Sequence, residues 1–124
     1  MIIGIGVDLI DVRRVESMIF RWQEKFLRRI FTSTEIRYCN NKKSPSQRFA
    51  TRLAAKHAVV KALFPKGARG VNYRHLEIVQ RDNRPFVNMI GEAKRRADEI
   101  GVRNIHLMVS HDGNYAVANV VLEA

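Results

Sequence analysis

Cysteine is nearly missing from the chain. Cys39 stands alone, so no internal disulfide can form and no pair of thiolates is available for a metal, and a reducing compartment is expected. Long hydrophobic runs are missing too. None approaches the length that spans a bilayer, and the opening MIIGIGVDLI lacks a basic segment and meets Asp8 too early for a signal peptide. A cytoplasmic protein with no membrane partner is expected. Repeats, low-complexity tracts and linkers are absent, which leaves a single domain over residues 1–124.

Acidic residues are also scarce. Twelve Asp and Glu face 22 Lys and Arg, a net charge of +10 that biases the chain toward an anionic partner. No aromatic RNP pair, KH loop or zinc spacing accompanies that charge, so no specific nucleic-acid recognition is expected. The 46% hydrophobic content supports one ordinary core, burying roughly two thirds of the unfolded surface.

Ile3, Ile5 and Val7 alternate with Gly4, Gly6 and Asp8, which predicts a short strand delivering Asp8 at its end. Asp11 then suits the N-cap of a helix whose Val12, Val15, Ile19, Trp22, Phe26 and Ile30 form one core-facing stripe. Arg14, Arg21, Lys25 and Arg28 gather within about 60° on another side, with Met18 among them. Thr32 to Glu35 reads as a capping box, Asn40 to Ser46 as a loop, and Ser46 as the cap of the next helix.

Beyond that helix, FPKGARG interrupts the pattern. LEIVQ and RPFVNM predict a hairpin turning at Asp82 and Asn83, GEAKRRADEIG a helix closed by Gly101, and NIHLMVS and YAVANVVL strands joined at HDGN. The order of elements implies an α+β fold, a mainly antiparallel sheet packed with helices.

The helix RFATRLAAKHAVVKAL carries the chemistry. Phe49, Leu53, Val60, Leu63 and Phe64 predict its buried stripe, with His57 at the edge, Lys61 one turn on, and Arg48, Arg52 and Lys56 approaching from the other side, Lys56 drifting into the stripe itself. A buried neutral imidazole and snorkelling lysines are the ordinary fates of such residues. The combination with Asp8, the glycine loop and the SHD turn favours a site.

GIGVDLIDVRRVE, FATRLAAKHAVVKAL and VSHDGNYAVANVVL resemble, in order and spacing, the holo-[acyl-carrier-protein] synthases, the short-chain class of 4′-phosphopantetheinyl transferases. The resemblance implies transfer of 4′-phosphopantetheine from coenzyme A to a serine of an apo acyl carrier protein in fatty acid biosynthesis. It further implies Mg²⁺ and a homotrimer with sites between subunits. Asp8 would then be a metal ligand, Lys61 would contact the diphosphate, and Arg52 and Lys56 would hold the 3′-phosphate or the carrier. Gly67 and Gly70 would bring backbone N–H groups near the nucleotide, with Ser110 beside the substrate. His111 would orient substrate or handle a proton, and Arg14, Met18, Arg21, Lys25 and Arg28 would dock the acidic carrier. A histidine or a cation-bound water would take the serine proton.

The chain departs from the family at residue 57, where AAKHA stands for the usual AAKEA and His replaces the second metal-ligating glutamate. Imidazole is a poor Mg²⁺ ligand, though Mn²⁺ accepts it. Three readings follow. His57 ligates a softer metal; or it contacts phosphate or acts as base while Asp8 alone anchors Mg²⁺; or the chain is an impaired homologue that still binds carriers. Phe64 or Pro65 stands where the family usually has glycine.

Overall fold

The computed structural model describes residues 1–68 and 70–124, so the predicted FPKGARG loop is described except for Arg69. The elements run β1 (Ile2–Asp11), α1 (Val12–Trp22), α2 (Glu24–Ile30), α3 (Ser33–Asn40), α4 (Pro45–Leu63), a 3₁₀ turn (Tyr73–His75), β2 (Leu76–Arg81), β3 (Arg84–Met89), α5 (Gly91–Ile100), β4 (Asn104–Asp112) and β5 (Tyr115–Glu123). The fold is α+β, with antiparallel sheets β1-β5-β4 and β2-β3.

The first hairpin forms where expected, while the second turns at Gly113 and Asn114 alone, because His111 and Asp112 pair with Ala116 and Tyr115 and extend the strand. Asp82 and Asn83 both take positive φ, 50° and 62°, the handedness a two-residue turn needs to follow the strand twist. Gly101 closes α5 at φ 84°. Asp11 caps α1 by accepting from Arg13 N at 2.9 Å, and the Thr32–Glu35 capping box is complete.

Three other boundaries differ from expectation. β1 runs on past Asp8 to Asp11, because β5 pairs with it residue by residue, so Asp8 sits inside a strand and opposite Ala118. The single basic helix is two: Gln23, at φ 50° and ψ −128°, breaks it, and Trp22 is left half exposed instead of joining the core stripe. The cap of α4 is Ser44, without a side-chain bond, because Pro45 occupies the first helical position, where its missing N–H and fixed φ suit a helix start.

α4 lies across the inner face of the three-stranded sheet and is buried nearly all round. Phe49, Leu53 and Leu63 are buried as predicted, while Val60 and Phe64 are only half-buried. A second buried face, Ala54, Ala55, Ala58 and Ala62, joins them. Small residues on the helix meet glycines on the strand: a Cβ on Gly6 would stand 2.0 Å from the Ala58 carbonyl oxygen, and one on Gly4 would stand 2.8 Å from that of Ala62. Only glycine permits this approach. It places Asp8, two residues after Gly6, beside the turn of α4 that carries His57 and Lys61.

Candidate active site

Asp8 points inward from β1 and is held from both sides by α4. Lys61 Nζ donates to Asp8 Oδ1 at 2.7 Å and to the Val7 carbonyl at 3.1 Å, and His57 Nδ1 lies 3.0 Å from Asp8 Oδ2. Residues 57 and 61 stand one turn apart, so a single carboxylate can bridge them. The Tyr73 ring packs edge-on against His57, with centroids 5.3 Å apart. Burial first, and the Asp8 charge second, raise the Tyr73 phenol above its ordinary pKa.

Asp8 and His57 open onto a cleft of ≈ 710 Å³ whose walls include Arg14, Ser17, Met18, Phe26 and Ile30. The exposed Arg14 and Met18 of the docking stripe therefore border Asp8 and His57 directly. Arg21, Lys25 and Arg28 are exposed as well, the last paired with Glu24 at 2.9 Å, but the break at Gln23 divides the stripe between two helices.

Arg52, Ser110 and His111 meet elsewhere, in a cleft of ≈ 160 Å³ with Arg48, Thr51 and Gln80. Arg52 is only 4% exposed, stacks 4.1 Å from the Tyr38 ring centroid, and leaves its Nε buried without a hydrogen-bond partner. An unpartnered buried guanidinium N–H is a strong donor for an anion. His111 Nδ1 lies 3.1 Å from Gln47 Nε2. Within one chain, then, the expected site residues fall into two groups, one around Asp8 and one around Arg52.

Lys56 does not face a ligand. Its side chain is buried against Glu35 at 2.7 Å, and all three of its donors have acceptors inside the protein. Burial lowers its pKa, with Glu35 working in the opposite direction. α3 supplies the counter-charge through Glu35. Gly67 and Gly70 are exposed at φ 101° and 68°, and a Cβ on either would touch nothing within 4 Å. The Gly67 N–H is already spent on the Phe64 carbonyl at 2.9 Å.

Glu35 and Tyr73 were not among the expected site residues. Glu35 showed only as half of a capping box, a role it keeps by accepting from Thr32 N while it also pairs with Lys56. Tyr73 follows a loop with no periodic pattern, and nothing in its neighbours signals it.

Among the described residues, no three His, Cys, Asp or Glu side chains gather to hold a metal ion. The donor set is one carboxylate and one imidazole. Asp8 suits Mg²⁺, which takes one or two carboxylates and fills its shell with water and substrate phosphate. His57 does not, since its Nδ1 is turned to Asp8 and imidazole is a softer donor.

The family model described as the 4′-phosphopantetheinyl transferase superfamily matches residues 4–120. Proteins named holo-[acyl-carrier-protein] synthase from Geotalea daltonii and Koribacter versatilis are 43% and 42% identical over 124 residues, covering 99% of this chain and of each relative. The crystal structure of holo-[acyl-carrier-protein] synthase from Neisseria meningitidis superposes with a TM-score of 0.88 at 30% identity over 100% of both chains. That of the Helicobacter pylori enzyme in complex with coenzyme A gives 0.82 at 28% identity, covering 96% of this chain and 99% of the other. With that match in sequence and in fold, the chain belongs to the holo-[acyl-carrier-protein] synthase family of the 4′-phosphopantetheinyl transferase superfamily.

Proposed function

We propose that this enzyme, acting as one domain over residues 1–124, transfers 4′-phosphopantetheine from coenzyme A to a serine of an apo acyl carrier protein, serving fatty acid biosynthesis in the cytoplasm. The observation that carries the reading is the cleft where Asp8 and His57 stand beside the basic, Met-bearing wall of α1, with Lys61 paired to Asp8. Among the described residues, no helix is long and apolar enough to cross a membrane.

In the reaction the serine Oγ attacks the β-phosphorus, a P–O bond to the leaving nucleotide breaks, and adenosine 3′,5′-bisphosphate departs. Asp8 would hold Mg²⁺, which offsets the negative charge growing on the pyrophosphate. Lys61 supplies a fixed ammonium for the same charge. Asp8 accepts from His57 Nδ1, which leaves Nε2 as the ring nitrogen able to take the serine proton. Arg52, with its unpartnered Nε, suits a phosphate of the nucleotide.

Arg14, Met18, Arg21, Lys25 and Arg28 dock the acidic carrier, each rim charge contributing about 1 kcal/mol or less and serving mainly to speed encounter. The outer face of the three-stranded sheet supports self-association. Ile5, Leu9 and Met108 are 65%, 64% and 69% exposed there, an apolar area that a chain on its own would leave wet. Two half-sites on one chain favour a homotrimer whose sites are completed between copies.

Incubation with coenzyme A, Mg²⁺ and an apo acyl carrier protein, followed by intact mass of the carrier, tests the reading. A gain of one phosphopantetheine is expected. No gain, together with retained carrier binding, would favour the second reading, an impaired carrier-binding homologue, which the presence of His57 at the glutamate position suggests.

A further inference from the structure

Lys56 has no donor left to offer a ligand. Its ammonium is fully buried and donates to the Ile30 carbonyl at 2.8 Å, Glu35 Oε1 at 2.7 Å and the Tyr73 carbonyl at 3.0 Å. Those acceptors come from the end of α2, from α3 and from the 3₁₀ turn. Glu35 extends the node, since its Oε1 also accepts from Thr32 N at 2.8 Å and its Oε2 from Ile78 N of β2 at 2.9 Å. One buried cation and one buried carboxylate thus tie together five separate segments.

A buried ion pair is a weak source of stability, because desolvation offsets much of the attraction. The acceptors Lys56 chooses suggest another use. Tyr73, gripped by its carbonyl, lays its ring edge-on against His57. Ile30, gripped in the same way, lines the cleft of Asp8, Arg14, Met18 and His57, and also the adjacent cleft of Arg28, Arg29 and Arg74. Consecutive residues of α4 therefore divide the work. His57 reaches into the cleft, and Lys56 fixes from behind the backbone of Ile30, which walls it, and of Tyr73, whose ring meets His57.

We infer that Lys56 is a positioning residue for the transfer step: it touches no substrate, and by clamping Tyr73 and Ile30 it sets the place of the His57 ring. The inference rests on the transfer reading above.

Lys56→Met alone would leave Glu35 charged and buried without its counter-charge, a change that unfolds proteins before it reports on a site. The test therefore uses Lys56→Met/Glu35→Gln, which removes both charges, beside Tyr73→Ala and the triple variant, with thermal melts to show that each is folded. We expect kcat for transfer to fall about tenfold in the double variant, the scale of a modest misplacement of a reacting group. KM for coenzyme A should move by less than about threefold. Tyr73→Ala should lose a comparable factor, and the triple variant no more than the double, because both changes act along one path. The ring-proton NMR signals of His57 should shift in all three.

Full kcat in the folded double variant, losses that multiply in the triple, or unmoved His57 signals would overturn the inference. If the double variant does not fold, Tyr73→Ala decides alone, and wild-type kcat with unmoved His57 signals refutes the role. A wild-type chain that transfers nothing would instead defeat the transfer reading, and the His57 signals would still decide the positioning.

Discussion

Lys61 donates to Asp8 across 2.7 Å, joining the last turns of α4 to the middle of β1. The ammonium covers Oδ1 of the carboxylate proposed to hold the cation, so a cation at Asp8 and the Lys61–Asp8 bond compete for one oxygen. In the proposed reaction, substrate would resolve the competition by offering Lys61 a diphosphate.

Lys61→Met therefore frees Asp8 yet removes a fixed positive group from the developing charge. We expect kcat to fall about a hundredfold, the effect of losing one well-placed donor. Steady-state transfer kinetics check this, and a loss confined to KM would assign Lys61 to binding alone.

His57→Glu restores a second carboxylate beside Asp8. The Mg²⁺ concentration for half-maximal transfer should drop about tenfold, as a second hard oxygen and one more negative charge bind the ion. A titration of rate against Mg²⁺ decides it, and an unchanged midpoint would mean that residue 57 stays off the metal.

Arg14→Glu and Arg21→Glu should raise KM for the carrier several-fold at low salt and lose much of that effect at about 0.5 M salt, where screening reaches only a few ångströms. Equal effects at both ionic strengths would show that these arginines do not act by charge.

Gly6→Ala inserts a methyl 2.0 Å from a helix carbonyl that belongs to the backbone and cannot rotate away. The cost should reach or pass the upper end of the ~1–3 kcal/mol usual for overpacking, read as a lower urea midpoint. Gly67→Ala, with open space around it, should cost about 1 kcal/mol for its positive φ alone.

Cys39 is buried, and burial pushes its thiol up to about 11. The shift is upward, so at pH 8 the thiolate fraction is roughly a hundredfold below that of an ordinary cysteine thiol. A chromogenic disulfide reagent should react slowly with the native chain and promptly in urea. Prompt reaction with the native chain would contradict the burial.

Much of this was legible in the sequence because the signals were local. The hairpin at Asp82–Asn83, the Gly101 stop, the Thr32–Glu35 box and the pairing of Asp8 with the helix of His57 and Lys61 all follow from spacing, turn chemistry or motif. What escaped depends on tertiary contact. Periodicity runs unbroken through Gln23, so nothing in it marks the split between α1 and α2. The helical wheel carries Lys56 toward the buried stripe, but its partner Glu35, 21 residues away, is not legible from spacing. The alanine face of α4 was overlooked because small residues carry little hydrophobic weight, although Ala58 and Ala62 let the helix backbone approach the glycines of β1.

That contact is one of main chain against main chain. Where side chains fill an interface, heat lets rotamers exchange and the spacing drifts; where a strand lies on a helix with only hydrogens between, there is no χ angle to turn. Asp8 and His57 hang from opposite banks of this seam, two residues and one residue from its tightest point. On warming, their separation should be among the last distances in the molecule to loosen, with the surface helices α1 and α2 giving way first.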